Sequence, residues 1–443
     1  MARVQVSSLR DAPWWFGLGF SLCLLVGALL RFSYNEVTVN ATAIQADAAS
    51  YVRYADNLRQ HGVFSKDRGP NPQPDAYWAP GYPMFLAGLA TVADATDLER
   101  YRLVLAVQVI LGVLSIYFTG LIALKMMDPG WALLPPALLA LSPHVVAVGQ
   151  NLLTETLFGF LLLASLYQLI LWLQNPRPLG ALVAGLLLAL AWAVNPVSLF
   201  LAPGLVLIAG WSLRREQSIP TRALVASLAL LVLPVALAFG AWSLRSEAAV
   251  APERLSSSDR LLKNLVIGMH SDYYAIWRAE KRDPANPADR DYRDIDGDFG
   301  RFVDTWRAKV VADPWGMLSW YVLEKPRLLW GWDVQVGYRD IYIYPVRYSL
   351  YHVSETADFT YRLMRTMHAP LLWCGLLGLL LAMLVRPATI PFAVGFLVLY
   401  ISLVYLCTQS DPRYSFPLRG PLYLLAAFLA FSLMHYLRAP RRH

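Results

Sequence analysis

The chain has 443 residues, of which 57% are hydrophobic and only 16% charged, with a formal net charge of +7. Too few charges are present to cover a water-soluble protein of this length, and apolar runs of about 18 residues or more recur, so a membrane protein is expected. The basic excess is spread over short loops between these runs, which argues against nucleic acid as a partner.

The first run, "WWFGLGFSLCLLVGALL", is too long for a signal-peptide core and no small-x-small site follows it, so it reads as a retained span. Ten spans are expected, near 13–33, 99–124, 130–149, 153–174, 178–194, 196–213, 222–243, 367–385, 388–407 and 418–437. One set of short loops and tails carries Arg3, Arg10, Lys125, Arg177, Arg214, Arg215, Arg222, Arg386, Arg438, Arg441 and Arg442. The opposite set carries only Arg413, so the basic set, with both termini, is expected on the cytoplasmic side. Three parts follow: a module 1–243 with an external loop 34–98, an external domain 244–366, and a membrane module 367–443. The external domain is charge-balanced, with 18 basic and 18 acidic residues, and its Trp- and Tyr-rich stretches suit interfacial helices. Cys23, Cys374 and Cys407 lie in or beside apolar runs, match no metal spacing and read as packing residues.

Ionisable residues in the spans gather at the ends. Arg31, Glu99, Arg100, Arg102, His144 and Glu155 fall near the outer ends and His435 near an inner one. A transporter needs a polar path through the midplane. Chemistry at one membrane face suits an enzyme better than a conduit.

In "QADAASYVRYADNLRQHG", Asp47 heads a helix whose Tyr51, Tyr54, Ala55 and Leu58 share its face. Asp47 is either an N-cap or an ionised carboxylate available as a general base. The following "YWAPGYPMFLAGLATV" reads as a Pro-Gly turn and an amphipathic helix with Tyr82, Phe85, Leu86 and Leu89 on its apolar face. Glu155 opens a span, where a carboxylate either serves the helix dipole or contacts a substrate. His144, beside Pro143, reads as a packed or solvated histidine. "DRDYRDIDGDFG" departs from a calcium loop because its glycine comes one residue early, and reads as a solvated acidic turn.

Together, "DAASYVRYADNLRQHG" with "APGYPMFLAGL", "LSPHVVAVGQNLLTETLFGFLLLASL", "ADPWGMLSWYVLEKPRLLWGWD" and "DPRYSFPLRGPLYLLAA" resemble, in order and sidedness, the GT-C glycosyltransferases. These include the bacterial aminoarabinose transferases of lipid A and the protein O-mannosyltransferases. The resemblance implies an all-α polytopic bundle of about ten transmembrane helices in a bacterial inner membrane, with its active site facing the periplasm. It implies an inverting transfer of sugar from a polyprenyl-phosphate carrier to a lipid, glycan or protein acceptor. Asp47 is then the catalytic base. Arg413, Tyr414 and Arg53 would serve the donor phosphate, and Tyr51, Tyr82, Gln150, Asn151 and Glu155 would line the cavity. No cofactor is firmly implied, and a divalent cation stays open. A local Asp411–Arg413 pair is the other reading of Arg413. Ser50, Ala79 and Asn195 stand where many relatives carry a cation. A lipid-linked glycan transporter and a non-catalytic scaffold on the same fold are the competing functions.

Overall fold

The computed structural model describes residues 12–42, 44–96, 98–216, 220–280, 286–385 and 390–438. Arg3, Arg10, Arg386, Arg441 and Arg442, counted above for sidedness, lie outside them. Among the described residues, seven helices are long and apolar enough to cross a membrane. They are α1 (Trp14–Val37), α4 (Arg100–Met126), α8 (Glu155–Gln174), α11 (Thr221–Ala249), α19 (Glu355–Leu384), α20 (Ile390–Cys407) and the run Pro412–Arg438, whose last part is α21 (Arg419–Arg438). Three shorter apolar segments, Pro129–Leu141, Pro178–Val194 and Pro196–Ile208, occupy the other places where spans were predicted. Helices dominate because apolar surroundings leave backbone groups no partner except the chain itself.

The predicted third span is broken into α5 (Pro129–Ala132), α6 (Leu134–Leu141) and α7 (Pro143–Val148). Pro143 lacks an amide proton and forces Ser142 into an extended conformation (φ −65°, ψ 111°), which ends α6. The carbonyls freed there are taken by Arg31. Its Nη2 donates to Leu139 O and its Nη1 to Ala140 O, both at 3.2 Å. Arg31 is thus a cap on a broken helix, and its charge meets the negative helix end. Further on, α11 continues through Ala249 and α19 begins at Glu355, so both helices reach beyond the predicted span ends.

Small residues let the helices approach. A Cβ on Gly378 would come 2.1 Å from Leu425 O, and one on Gly185 would come 2.6 Å from Leu230 O, so α19 meets α21, and α9 (Pro178–Val194) meets α11, backbone to backbone. The loop after α4 and the end of α21 lie at one end of the bundle, where His435 Nε2 approaches Asp128 Oδ2 to 3.6 Å.

The opposite end carries α2 (Ala46–His61), α3 (Gly81–Ala95) and the segment between α11 and α19. That segment holds α12 (Ser257–Gly268), α13 (Tyr273–Glu280), α14 (Pro287–Ile295), α15 (Phe299–Ala312), α16 (Pro314–Ser319), α17 (Lys325–Leu329) and α18 (Leu350–Val353). Leu262, Val266, Met269, Ile295 and Phe302 form its small core. Val39–Asn40 pair antiparallel with Val346–Tyr348, tying the end of α1 to this segment. The acidic turn is a joint between α14 and α15: Asp296 is left-handed, and Asp298 accepts from Gly300 N (2.7 Å) and Arg301 N (3.2 Å) as the N-cap of α15. Trp315, Leu318, Val322 and Leu323 are exposed, as an interfacial stretch requires.

Candidate active site

Asp47 is the second residue of α2, not its N-cap. The N-cap is Gln45, which makes no side-chain cap. Ala46 holds φ at +47°, a left-handed conformation that costs a residue with a Cβ about 1–2 kcal/mol. The turn this produces leaves the Asp47 carboxylate free to reach across the bundle, where its Oδ2 accepts from Arg413 Nη1 at 2.9 Å. The capping role falls to a residue the sequence did not single out. Tyr344 brings its hydroxyl to within 3.3 Å of Ala48 N and accepts from that amide.

Arg413 stands on the 3₁₀ turn Pro412–Leu418 that follows α20. The turn is fixed by Asp411, which accepts from Arg413 N (2.9 Å), Gln335 N (3.0 Å) and Val336 N (2.9 Å). Asp411 therefore spends its oxygens on backbone amides, and the guanidinium goes elsewhere. Its Nε donates to Glu155 Oε1, and Glu155 begins α8, where the helix dipole favours an anion. Two carboxylates and one guanidinium make a cluster of net charge −1. Glu155 and Arg413 side chains are only 5% and 10% exposed, whereas Asp47 is 33% exposed, so Asp47 is the member open to an incoming molecule. Nη2 of Arg413 makes no hydrogen bond among the described residues.

One turn beyond Asp47, Tyr51 is buried edge-on between Trp78 (centroids 4.8 Å apart) and Tyr82 (5.1 Å). Burial pushes its hydroxyl well above the usual tyrosine range. Tyr82 donates to Gln108 Oε1 at 2.9 Å, and Gln108 Nε2 donates to the carbonyls of Gly149 (2.9 Å) and Asn151 (3.0 Å). Gln150 Nε2 donates to Thr38 O at 2.5 Å and Asn151 Nδ2 to Ala147 O at 3.3 Å. Gln150 and Asn151 thus hold the turn that aims Glu155. Gly81 starts α3 against the end of α9, since a Cβ there would come 2.6 Å from the Ala193 carbonyl carbon.

Tyr414 stacks on Tyr405 (4.8 Å, 8°), whose hydroxyl accepts from Asn195 Nδ2 at 3.1 Å. Arg53 lies apart from the cluster, with Nη1 donating to Lys66 O at 3.3 Å. His144 packs edge-on against Trp332 and meets the Trp332 carbonyl at 2.8 Å, as a packed histidine would. The sequence reading assigned no role to two further groups. Arg260 of α12 lies over the Trp78 ring at 3.7 Å, and buried Lys325 donates to Gly268 O (2.9 Å) and Thr408 O (2.6 Å). Lys325 stands in the Trp-, Lys- and Pro-bearing stretch quoted above and Arg260 in no marked stretch, but the contacts of both are illegible locally because their partners are far away in sequence. Among the described residues no three His, Cys, Asp or Glu side chains converge as metal ligands would, and a guanidinium occupies the place between Asp47 and Glu155.

No family model matches the chain, and no protein with a curated description matches it. Among solved structures, the oligosaccharyltransferase AglB of Archaeoglobus fulgidus, in complex with an inhibitory peptide and a dolichol-phosphate, aligns with a TM-score of 0.52 and 13% identity over 96% of this chain and 51% of that one. The fold is similar to that of this membrane oligosaccharyltransferase. The apo form of the Archaeoglobus fulgidus oligosaccharyltransferase gives a TM-score of 0.50, 13% identity, and coverage of 96% and 52%. ArnT from Cupriavidus metallidurans, also apo, aligns with a TM-score of 0.38 and 14% identity over 94% of this chain and 78% of that one. The chain spans about half the length of the oligosaccharyltransferase it matches. On this fold the cluster is built from the first interhelical loop, the start of α8 and the turn before α21.

Proposed function

We propose that the protein is an inverting glycosyltransferase that moves a sugar from a polyprenyl-phosphate carrier to a lipid, glycan or protein acceptor, at the external face of a bacterial inner membrane with both termini cytoplasmic. The observation that carries this reading is the Asp47–Arg413–Glu155 cluster, in which a half-exposed carboxylate is held by a buried ion pair. Asp47 takes the proton of the acceptor hydroxyl. The acceptor oxygen bonds to the anomeric carbon as the bond from that carbon to the phosphate oxygen breaks, and the electron pair leaves on phosphate. A phosphate leaves without strong acid, so the demand on the site is a base on one face and positive charge on the other. Arg413 serves first to aim Asp47, through Nη1, and offers Nη2 to the reacting groups. Tyr414 and the aromatic wall of Tyr51 and Tyr82 bound the site.

The test is transfer by the purified full chain in lipid nanodiscs, supplied with polyprenyl-phosphate sugars and an acceptor fraction from the cell envelope. Mass spectrometry of envelope lipids, glycans and proteins from a deletion strain identifies the acceptor. Loss of a species heavier by one sugar unit is expected. An unchanged envelope together with no transfer in nanodiscs would refute the proposal.

A further inference from the structure

A phosphate at this site meets an electrostatic difficulty. The Asp47–Arg413–Glu155 cluster is net negative, so Arg413 is already more than neutralised by its own neighbours. Another cation is required, and Arg260 answers the description. It belongs to α12, whose N-terminus is fixed by a reciprocal Ser256–Asp259 capping box, so its position on the helix is set locally. Its guanidinium lies 3.7 Å from the centre of the Trp78 ring, and Trp78 in turn packs against Tyr51, one turn from Asp47. Among the described residues it has no carboxylate partner. Its charge is among those acting on the Tyr51 and Tyr77 hydroxyls. Stacking on an indole orients the planar fork and leaves its N–H edge free for oxygen ligands.

We propose that Arg260, lying over the Trp78 ring beside the cluster, binds the phosphate of a lipid-phosphate ligand, so that the segment between α11 and α19 supplies a cation to the site. The inference rests on the glycosyltransferase reading and names its phosphate subsite. Trp78 is the platform that presents the guanidinium.

The experiment measures equilibrium binding of undecaprenyl phosphate to the full chain in nanodiscs, with undecaprenol and inorganic phosphate as the other two probes. Arg260→Gln, Arg260→Lys and Trp78→Leu are compared with Arg290→Gln, which removes the same charge from an exposed site on α14. Losing a charge-assisted contact is expected to weaken undecaprenyl phosphate binding roughly 10- to 100-fold in Arg260→Gln. Arg260→Lys recovers part of it, Trp78→Leu loses a smaller share, and Arg290→Gln binds normally. Undecaprenol binding is unchanged throughout. Wild-type protein that binds undecaprenyl phosphate while Arg260→Gln binds it equally well overturns the assignment of Arg260 alone. Wild-type protein that does not prefer undecaprenyl phosphate to undecaprenol overturns the glycosyltransferase reading with it. Inorganic phosphate bound as tightly as the lipid overturns the lipid source.

Discussion

Arg413 Nη1 donates to Asp47 Oδ2 at 2.9 Å, joining residues 366 positions apart in the chain. The same guanidinium holds Glu155, so the first interhelical loop, α8 and the turn before α21 are fastened at one point. Pairing in a low-dielectric site orients the groups strongly, but it makes each member dependent on the others.

Arg413→Ala should therefore damage both stability and turnover. It leaves Glu155, 5% exposed, beside Asp47 with no cation between them. Removing one partner of a buried pair costs about 3–5 kcal/mol. Arg413→Lys should restore part of the stability and little of the turnover, because an ammonium cannot hold two carboxylates in the fork geometry. Glu155→Gln should be milder in melting than Arg413→Ala, since Arg413 keeps Asp47. Equal melting temperatures for wild type and Arg413→Ala in detergent would contradict this account.

Chelation should leave turnover unchanged. A guanidinium already occupies the space between the two carboxylates, and no other metal-like cluster is formed by the described residues. Transfer rates measured with and without a chelator, and again after adding back divalent cations, should agree. A rate that collapses on chelation and returns with one cation would show that the pair opens to admit it.

The apolar runs made the bundle legible, because hydrophobicity and length follow from composition alone. The break at Ser142–Pro143 was also written in the sequence, as a proline inside an apolar run, yet the span was drawn through it. Arg31 was placed at a helix end without its task, since Leu139 and Ala140 carbonyls become available only after that break. Asp47, Glu155 and Arg413 were each singled out from local pattern and resemblance, but the bonds among them are tertiary. Tyr344 and Arg260 were not legible for the same reason. An aromatic-rich stretch and a capped polar helix say nothing about α2 or Trp78, which they meet across the fold.

Lys325 gives the pH prediction. Burial pushes its ammonium down to about 7 from the usual lysine range. A neutral amine still has two N–H groups for its two acceptors, Gly268 O at the end of α12 and Thr408 O just beyond α20. Between pH 7 and the unfolded lysine value near 10.4, the unfolded chain binds a proton that the folded chain does not. The Lys325 contribution to stability thus rises with pH across that window and is flat below it. The difference in melting temperature, wild type minus Lys325→Met, should grow from pH 7 to pH 9. A difference that shrinks with pH would mean that the lysine is bound as a cation.

Sidedness follows from which loops share an end of the bundle. In a background with Cys23, Cys374 and Cys407 replaced, Asn71→Cys in the loop before α3 should react with a membrane-impermeant thiol reagent on intact cells. Asn175→Cys, between α8 and α9, should react only after permeabilisation. Both positions are exposed, so access through the membrane is the variable being read. The reverse pattern would put the cluster on the cytoplasmic face.

The carboxylate of Asp47 carries the final prediction. Gln45, not Asp47, occupies the N-cap, and Tyr344 takes the Ala48 amide, so Asp47→Asn leaves the start of α2 supported. The amide oxygen of asparagine can still accept from Arg413 Nη1, and Arg413 keeps Glu155, so melting should change little. What is lost is the ability to take a proton. Loss of a general base typically lowers the rate about 10²–10⁴-fold. Asp47→Asn is expected within that range, with donor-lipid binding retained. Asp47→Glu should also be slow, because a carboxylate displaced by about an ångström misses the attacking hydroxyl and strains its bond to Arg413. Transfer from a polyprenyl-phosphate sugar, undecaprenyl phosphate binding and thermal melting are measured on the same preparations. Full activity in Asp47→Asn would remove the base from the mechanism. The carboxylate would then serve only to brace Arg413 against the first loop.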